Sequence, residues 1–160
     1  GKLNGAVGNF NAHQQIFPQK NWLSFSKKFI ISLGLKPVMI TTQINLNIRL
    51  VYLLDLLRQL NNVWLDLCRD CWLYISYDYF VQKMVGKEVG SSTMPHKVNP
   101  INFENAEGNF ELANSLLMTL SNKFPISRLQ RDLSDSTVKR NLGIAFGYSL
   151  LGAKNLLKGL

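Results

Sequence analysis

LNIRLVYLLDLLRQLNNVWLDLCRDCWLYISYDYFVQ, residues 46–82, is the stretch that decides the fold of this sequence. Its apolar side chains recur at steps of three and four residues, which is the period of one helical face. These residues are Leu50, Leu53, Leu54, Leu57, Leu60, Trp64, Leu67, Cys68, Cys71, Trp72, Ile75 and Tyr79. Neighbouring positions are also apolar, so the stripe is wider than a helix on a monomer surface needs. We expect a helix of about 35 residues, roughly 50 Å long, surrounded by other helices.

The rest of the chain predicts shorter helices and no β-hairpin of the Asn-Gly type. The expected helices are Gln14–Ile16, Trp22–Leu33, Ile101 to about Asn122, and a last helix from about Asp135. Gly34 is expected to end the second of them. Either Asp135 or Ser136 is expected to be the N-cap of the last. The predicted fold class is all-α, a bundle built on long helices.

Length and composition fit one domain with a large apolar surface. The chain has 160 residues, of which 46% are hydrophobic and 18% are charged. Because the charged share is below the usual quarter, we expect further apolar surface to be buried between subunits. The chain starts with Gly1 and ends with Leu160 inside an apolar run. We interpret it as a piece of a longer protein.

The net charge of +8 does not by itself predict nucleic-acid binding. The basic residues are dispersed, and Lys27-Lys28 is the only adjacent pair, so no basic patch of the nucleic-acid-binding kind is expected. The two remaining interpretations are a lysine-rich solvated surface and a site that attracts anionic substrates. No signal peptide is recognised, and charged residues interrupt the longest apolar run, so no membrane span is predicted.

Two cysteines, Cys68 and Cys71, have the CxxC spacing of redox and zinc sites. They lie inside the long helical pattern, and the chain has neither a second CxxC nor paired histidines to complete a metal site. We therefore expect two buried helical thiols and no metal site.

The eleven residues GSSTMPHKVNP, from Gly90 to Pro100, concentrate polar and backbone-special residues between two apolar helical segments. A serine becomes a base or nucleophile only with help from a cation, N–H groups or a general base. Lys97 could provide the positive charge, and Asn99 could donate a hydrogen bond to a carboxylate. From the residue types alone, an active-site loop and an ordinary serine-rich surface loop remain equally open.

This segment closely resembles the signature Gly-Ser-Ser-x-Met-Pro-x-Lys-x-Asn-Pro of the fumarase/aspartase superfamily. The resemblance implies a homotetrameric α-helical lyase that releases fumarate through a carbanion, without a metal or organic cofactor. It implies that Ser91 is the base that removes the Cβ proton. It also implies that Lys97 and Asn99 hold the substrate and its carbanion, with Ser92 and Met94 as further substrate-binding residues. Fixed cations and amides beside the developing charge would lower the barrier.

The segment from Ser127 to Arg140, SRLQRDLSDSTVKR, narrows the resemblance to the adenylosuccinate lyases. It is similar to their Arg-Asp-x-Ser-x-Ser-x-x-x-Arg pattern, and His96 before Lys97 also occurs in that family. The resemblance implies that Arg131, Ser136 and Arg140 bind the phosphate of a nucleotide substrate. Guanidinium groups suit that task, because their forked donors match phosphate oxygens. It further implies a cytoplasmic enzyme of purine biosynthesis.

Three further stretches resemble the same family. Thr41-Thr42-Gln43 is similar to a stretch whose glutamine contacts the substrate, which implies a substrate-binding role for Gln43. Glu104 corresponds to a glutamate that pairs with the catalytic acid, a histidine. Its position in a helical first turn is also explained by the helix dipole alone. The glycine-rich opening Gly5–Gly8 resembles a segment near the site.

The resemblance also implies what this chain lacks. The family's acid histidine lies upstream of everything here, and His13 and His96 occur in neither expected context. Residues 1–160 are expected to be part of the central helical-bundle domain, without the preceding part and without the C-terminal domain, and inactive alone. By analogy, one site combines residues of three subunits. Two alternatives stay open: another lyase of the superfamily, such as argininosuccinate lyase, and a non-catalytic helical module that drives oligomerisation.

Overall fold

A computed structural model describes residues 1–83, 99–128 and 132–160. These residues form six helices and no strand, which confirms the predicted all-α class. The helices are α1 (Asn11–Ile16), α2 (Trp22–Ser32), α3 (Ile48–Ser76), α4 (Ile101–Lys123), α5 (Ser134–Lys139) and α6 (Leu142–Gly159). Within the described part of the chain, no helix has the combination of length and hydropathy that would cross a membrane.

The first two helices are confirmed, although α1 begins at Asn11, three residues before the predicted Gln14, and α2 ends at Ser32, one residue before Leu33. The side chain of Asn21 accepts a hydrogen bond from the Ser24 amide at 2.9 Å and caps the start of α2. Gly34, at φ 72°, ends the helix. The amides of Gly34 and Leu35 reach back to the carbonyls of Ile31 and Ile30, which is the Schellman arrangement.

The long helix α3 is shorter than predicted, because it ends at Ser76 rather than near Gln82. Asp78 adopts the left-handed conformation at φ 58°. The Tyr79 amide then donates to the Tyr74 carbonyl, and the Asp78 amide donates to that of Ile75. This is a second Schellman motif, formed with aspartate in the place that glycine usually takes. The apolar pattern continues past this turn, so periodicity alone overestimates the helix.

Helix α4 is the centre of the bundle, and α3 and α6 both run antiparallel to it. At one end of α4, a cluster of Cys68, Cys71, Phe103, Ala106, Phe110 and Leu156 is buried. At the other end, a second cluster buries Leu54, Leu117, Leu120, Phe124 and Ala145. Gly152 permits the close approach of α6, because a Cβ there would lie 2.6 Å from the Phe110 ring.

A polar layer separates the two apolar clusters. Asn61 of α3 is fully buried, and its Nδ2 donates to Asn114 Oδ1 of α4 at 3.1 Å and to Ser149 Oγ of α6 at 2.9 Å. A buried donor is stable only where acceptors satisfy it; the Asn61 NH2 group has two, whereas Asn61 Oδ1 has no partner among the described residues. This layer therefore favours one axial register of the three helices over the slipped alternatives.

The C-terminal part differs from the single helix that the sequence predicts. It contains two helices, α5 and α6, and neither Asp135 nor Ser136 is the N-cap. Helix α5 begins one residue earlier, at Ser134, because the side chain of Asp132 accepts a hydrogen bond from the Ser134 amide at 3.0 Å. Asp135 instead lies buried in the first turn, where it pairs with Lys139 at 2.6 Å.

A second apolar stripe of α3 faces away from α4 and α6. Its members alternate at three and four residues, and they are Leu53, Leu56, Leu60, Val63 and Leu67, all exposed in this chain. Such spacing is typical of the seam between packed helices. The wide apolar surface that the sequence predicts is thus divided into an inward and an outward face.

Candidate active site

The first group of candidate residues lies where α4 begins. Asn99 lies just before the N-cap of the helix, Pro100, and its carbonyl accepts a hydrogen bond from the Ile101 amide at 2.8 Å. Glu104 lies in the first helical turn, where the positive end of the helix dipole favours a carboxylate. An open cleft adjoins this end of the bundle and is lined by Asn99, with Lys83 and Lys158 adding positive charge. Lys83 places a positive charge at this cleft, which favours an anionic ligand there.

Side chains of α3 hold a row of carboxylates on α4. Trp72 Nε1 donates to Glu104 Oε1 at 3.0 Å. One and two turns further along α4, Arg69 donates to Glu107 at 2.8 Å and to Glu111 at 3.0 Å. The Glu104 carboxylate thus accepts from the neutral Trp72 indole, whereas Glu107 and Glu111 pair with the Arg69 cation. The sequence does not indicate that Trp72 is a site residue, because the apolar periodicity includes it among the core-facing side chains of the long helix.

The second group of candidates lies at the opposite end of the bundle. Ser136 and Arg140 are exposed, and they are four residues apart, so both lie on one side of α5. Lys139, on another side of the helix, has its ammonium group 5.9 Å from the centre of the Phe124 ring. Because Phe124 follows the last residue of α4, the candidates for phosphate binding lie beside that end.

Gln43 lies five residues before α3, and the first turns of α3 run beside the end of α4. The preceding stretch is pressed against the glycine-rich opening: a Cβ on Gly8 would lie 2.0 Å from the Thr41 carbonyl oxygen. Gly8 also has φ 85°. Buried Asn4 donates to Thr41 Oγ1 at 2.8 Å. The two stretches that the sequence singles out separately are therefore in direct contact.

About 30 Å separates the two groups. Glu104 and Phe124 are twenty positions apart, and each position adds about 1.5 Å along the helix. A mononucleotide is much shorter than this distance. The two groups of one chain cannot contact the same substrate molecule.

The remaining predicted residues lie outside the described part of the chain. Residues 84–98 include Ser91, Ser92, Met94 and Lys97, and residues 129–131 include Arg131. Among the candidates, the structure thus describes Gln43, Asn99, Glu104, Ser136 and Arg140.

The cysteines are buried and free, as the sequence predicts. Burial raises the pKa of the Cys68 thiol to about 11, and the neighbouring Cys71 and Glu107 add to this. Burial also raises the pKa of Cys71. Both thiols therefore stay protonated at neutral pH and are poor nucleophiles and metal ligands. The described residues include no group of three or more His, Cys, Asp or Glu side chains that could hold a metal ion.

Comparison with known proteins identifies the family. Residues 1–111 match the lyase family model, and residues 127–160 match the model described as adenylosuccinate lyase C-terminal. The chain is 54% identical to the adenylosuccinate lyase of Dictyostelium discoideum, over 99% of the chain and 34% of the relative. It is 50% identical to the adenylosuccinate lyase of Escherichia coli K12, over 100% of the chain and 35% of the relative. It is 52% identical to that of Legionella pneumophila Corby, over 99% of the chain and 35% of the relative.

The chain spans about a third of the length of these relatives. The similarity to adenylosuccinate lyases that the two sequence motifs predict is confirmed. The two family matches leave only residues 112–126 uncovered. The chain therefore belongs to the lyase family.

Proposed function

We propose that the complete protein eliminates fumarate from adenylosuccinate to give AMP, and likewise cleaves succinyl-aminoimidazole-carboxamide ribotide. The observation that carries this proposal is the identity of 50–54% with proteins named adenylosuccinate lyase over essentially the whole chain. The positive charge beside Asn99 supports it, because the substrate carries two carboxylates and a phosphate. Such a substrate is made and used in the cytoplasm, which is the expected location.

The proposed reaction needs a base, an acid and a stabiliser of the carbanion. Ser91 removes the Cβ proton of the succinyl group, and Lys97 and Asn99 stabilise the negative charge on the adjacent carboxylate. The bond between the succinyl carbon and the purine nitrogen then breaks, its electrons pass to the nitrogen, and the fumarate double bond forms. A histidine outside this chain protonates that nitrogen, and Glu104 orients the histidine. No metal or organic cofactor takes part.

The proposed binding residues recognise the rest of the substrate. Arg131, Ser136 and Arg140 bind the phosphate, and Gln43, Ser92 and Met94 contact the succinyl and ribose parts. Arginine pairs with phosphate through two parallel hydrogen bonds, which fix position as well as charge.

We infer that the sites are shared between subunits of a homotetramer. The separation of about 30 Å between the two groups supports this, because each group then completes a site with residues of another copy. The outward stripe Leu53–Leu67 of α3 supports it as well, since a second helix would bury that surface. In this arrangement residues 1–160 belong to the central bundle, with further segments supplying the acid and the C-terminal domain.

The test is an assay of the purified complete protein with adenylosuccinate and, separately, with argininosuccinate. We expect one fumarate and one AMP for each adenylosuccinate consumed, and no fumarate from argininosuccinate. Fumarate from argininosuccinate alone would assign the protein to another branch of the superfamily. Assembly into an oligomer without cleavage of either compound would support the non-catalytic helical module.

A further inference from the structure

A nearly buried ion pair closes the connector between α4 and α5. The Lys123 ammonium, on the last residue of α4, lies 2.6 Å from Asp132 Oδ2, and the two side chains are only 20% and 5% exposed. Lys123 also donates to the Ile126 carbonyl at 3.1 Å. One lysine thus fastens both the start and the end of the connector.

The other oxygen of the same carboxylate begins α5. Asp132 Oδ1 accepts hydrogen bonds from the backbone amide of Ser134, at 3.0 Å, and from its hydroxyl. The carboxylate therefore joins the end of one helix to the first turn of the next. The Lys123 hydrogen bond, followed by those of Ser134, lowers the pKa of Asp132 to about 2.

Further contacts fix the rotation of α5 about its own axis. Asp135 is buried and pairs with Lys139, and Val138 packs against the apolar cluster around Leu117 and Phe124. The opposite side of the helix carries Ser136 and Arg140, which are exposed. Because Asp135 and Val138 hold one side of α5 against the bundle, the position of the first residue of α5 sets the direction in which Ser136 and Arg140 point.

We propose that Lys123 is a positioning residue, which acts through Asp132 to hold α5 so that Ser136 and Arg140 face a phosphate-bearing ligand. The identity of this ligand rests on the proposed function, but the positioning itself does not. Without Lys123, the Asp132 carboxylate, whose side chain is only 5% exposed, would keep its two Ser134 donors but lose the cation that compensates its charge. The carboxylate would then turn towards solvent or take up a proton. In either case the Ser134 amide, the first of α5, would lose its carboxylate acceptor.

The experiment compares the wild-type complete protein with Lys123→Met, Lys123→Arg and Lys154→Met. Lys154 is exposed on α6, far from α5, so its substitution removes the same charge without touching the connector. The substrates are adenylosuccinate and its nucleoside, which lacks the phosphate. We expect Lys123→Met to raise the KM of the nucleotide about tenfold and to leave the nucleoside nearly unchanged. We expect Lys123→Arg to have a nucleotide KM close to that of the wild type, and Lys154→Met to have the same KM as the wild type.

Equal losses for nucleotide and nucleoside in Lys123→Met would overturn the positioning role. A second measurement, amide hydrogen exchange of residues 133–140, needs no substrate. We expect faster exchange in Lys123→Met than in Lys154→Met, and unchanged protection would also overturn the proposal. A wild-type protein without lyase activity would contradict the proposed function, while the exchange measurement would still decide the role of Lys123.

Discussion

The two ends of α4 are built differently. At its first residues, Glu104 is held across the helix pair by a neutral donor, Trp72. At its last residue, the ion pair of Lys123 and Asp132 is nearly buried and fixes a whole helix beyond it. One end presents isolated polar groups beside an open cleft, and the other presents a short helix with two exposed polar residues. The difference suggests a division of labour, with chemistry at the first end and phosphate binding at the second.

Substitution of Ser91 by alanine tests the proposed chemistry and should have the largest effect. Loss of the proposed base lowers kcat by about 10²–10⁴-fold, while KM changes little. Steady-state kinetics with adenylosuccinate measure both constants. A kcat close to that of the wild type would exclude Ser91 as the base.

Substitution of Arg140 by alanine tests the second end. Loss of a charged hydrogen bond to phosphate raises KM by about 10–100-fold, with a smaller change in kcat. Arg140→Lys is the matched control. It keeps the positive charge but lacks the forked guanidinium donors, so it should recover only part of the affinity for the phosphate. The division of labour would be wrong if Arg140→Ala reduced kcat and left KM unchanged.

A smaller effect is expected for Trp72→Phe, which removes the N–H donor and keeps most of the ring. A less well oriented Glu104 carboxylate should lower kcat about three- to tenfold and shift the acid limb of its pH profile. Arg69→Gln is the control, because Arg69 binds Glu107 and Glu111 rather than Glu104. If both variants reduced kcat equally with the same pH profile, Trp72 would serve only the packing of α3 against α4.

The smallest effect concerns stability in acid. Asp132 has a folded-state pKa of about 2, below its ordinary 3.8, so its ionised form stabilises the fold. This contribution is complete above about pH 4 and is lost as the pH falls towards 2. The wild type should therefore exceed Asp132→Asn in free energy of unfolding near neutral pH, by a margin that shrinks between pH 4 and 2. Denaturant unfolding at several pH values measures the margin, and a constant margin would contradict the ionic role.

Much of the fold could be predicted from local signals. Gly34 marks the end of α2, because glycine reaches the left-handed region without strain. Asp78 marks the end of α3 in the same conformation, but aspartate is a weak signal there and the apolar pattern runs past it. The contacts of Trp72 with Glu104 and of Asn61 with Ser149 join residues 32 and 88 positions apart. No local pattern predicts such pairs, because they depend on how the helices pack.

The candidate site was predicted from two motifs, but their positions relative to each other were not. The sequence separates Glu104 from Arg140 by 36 residues, and most of that stretch is the straight helix α4. Helical rise over the twenty positions from Glu104 to Phe124 gives a distance of about 30 Å, whereas a turn would have brought the groups together. This distance supports the proposed sharing of sites between copies, which the resemblance had supplied only by analogy.

Co-expression of Ser91→Ala and Arg140→Ala subunits tests the sharing of sites most directly. If each site takes its first end from one subunit and its second end from another, random mixing leaves about a quarter of the sites with both ends intact. We therefore expect the mixed oligomers to regain about a quarter of wild-type activity, far above either variant alone. Asn99→Ala mixed with Glu104→Gln is the control, because Asn99 and Glu104 lie at the same end of α4 and should not complement. Mixed oligomers no more active than the two separate variants would contradict the account.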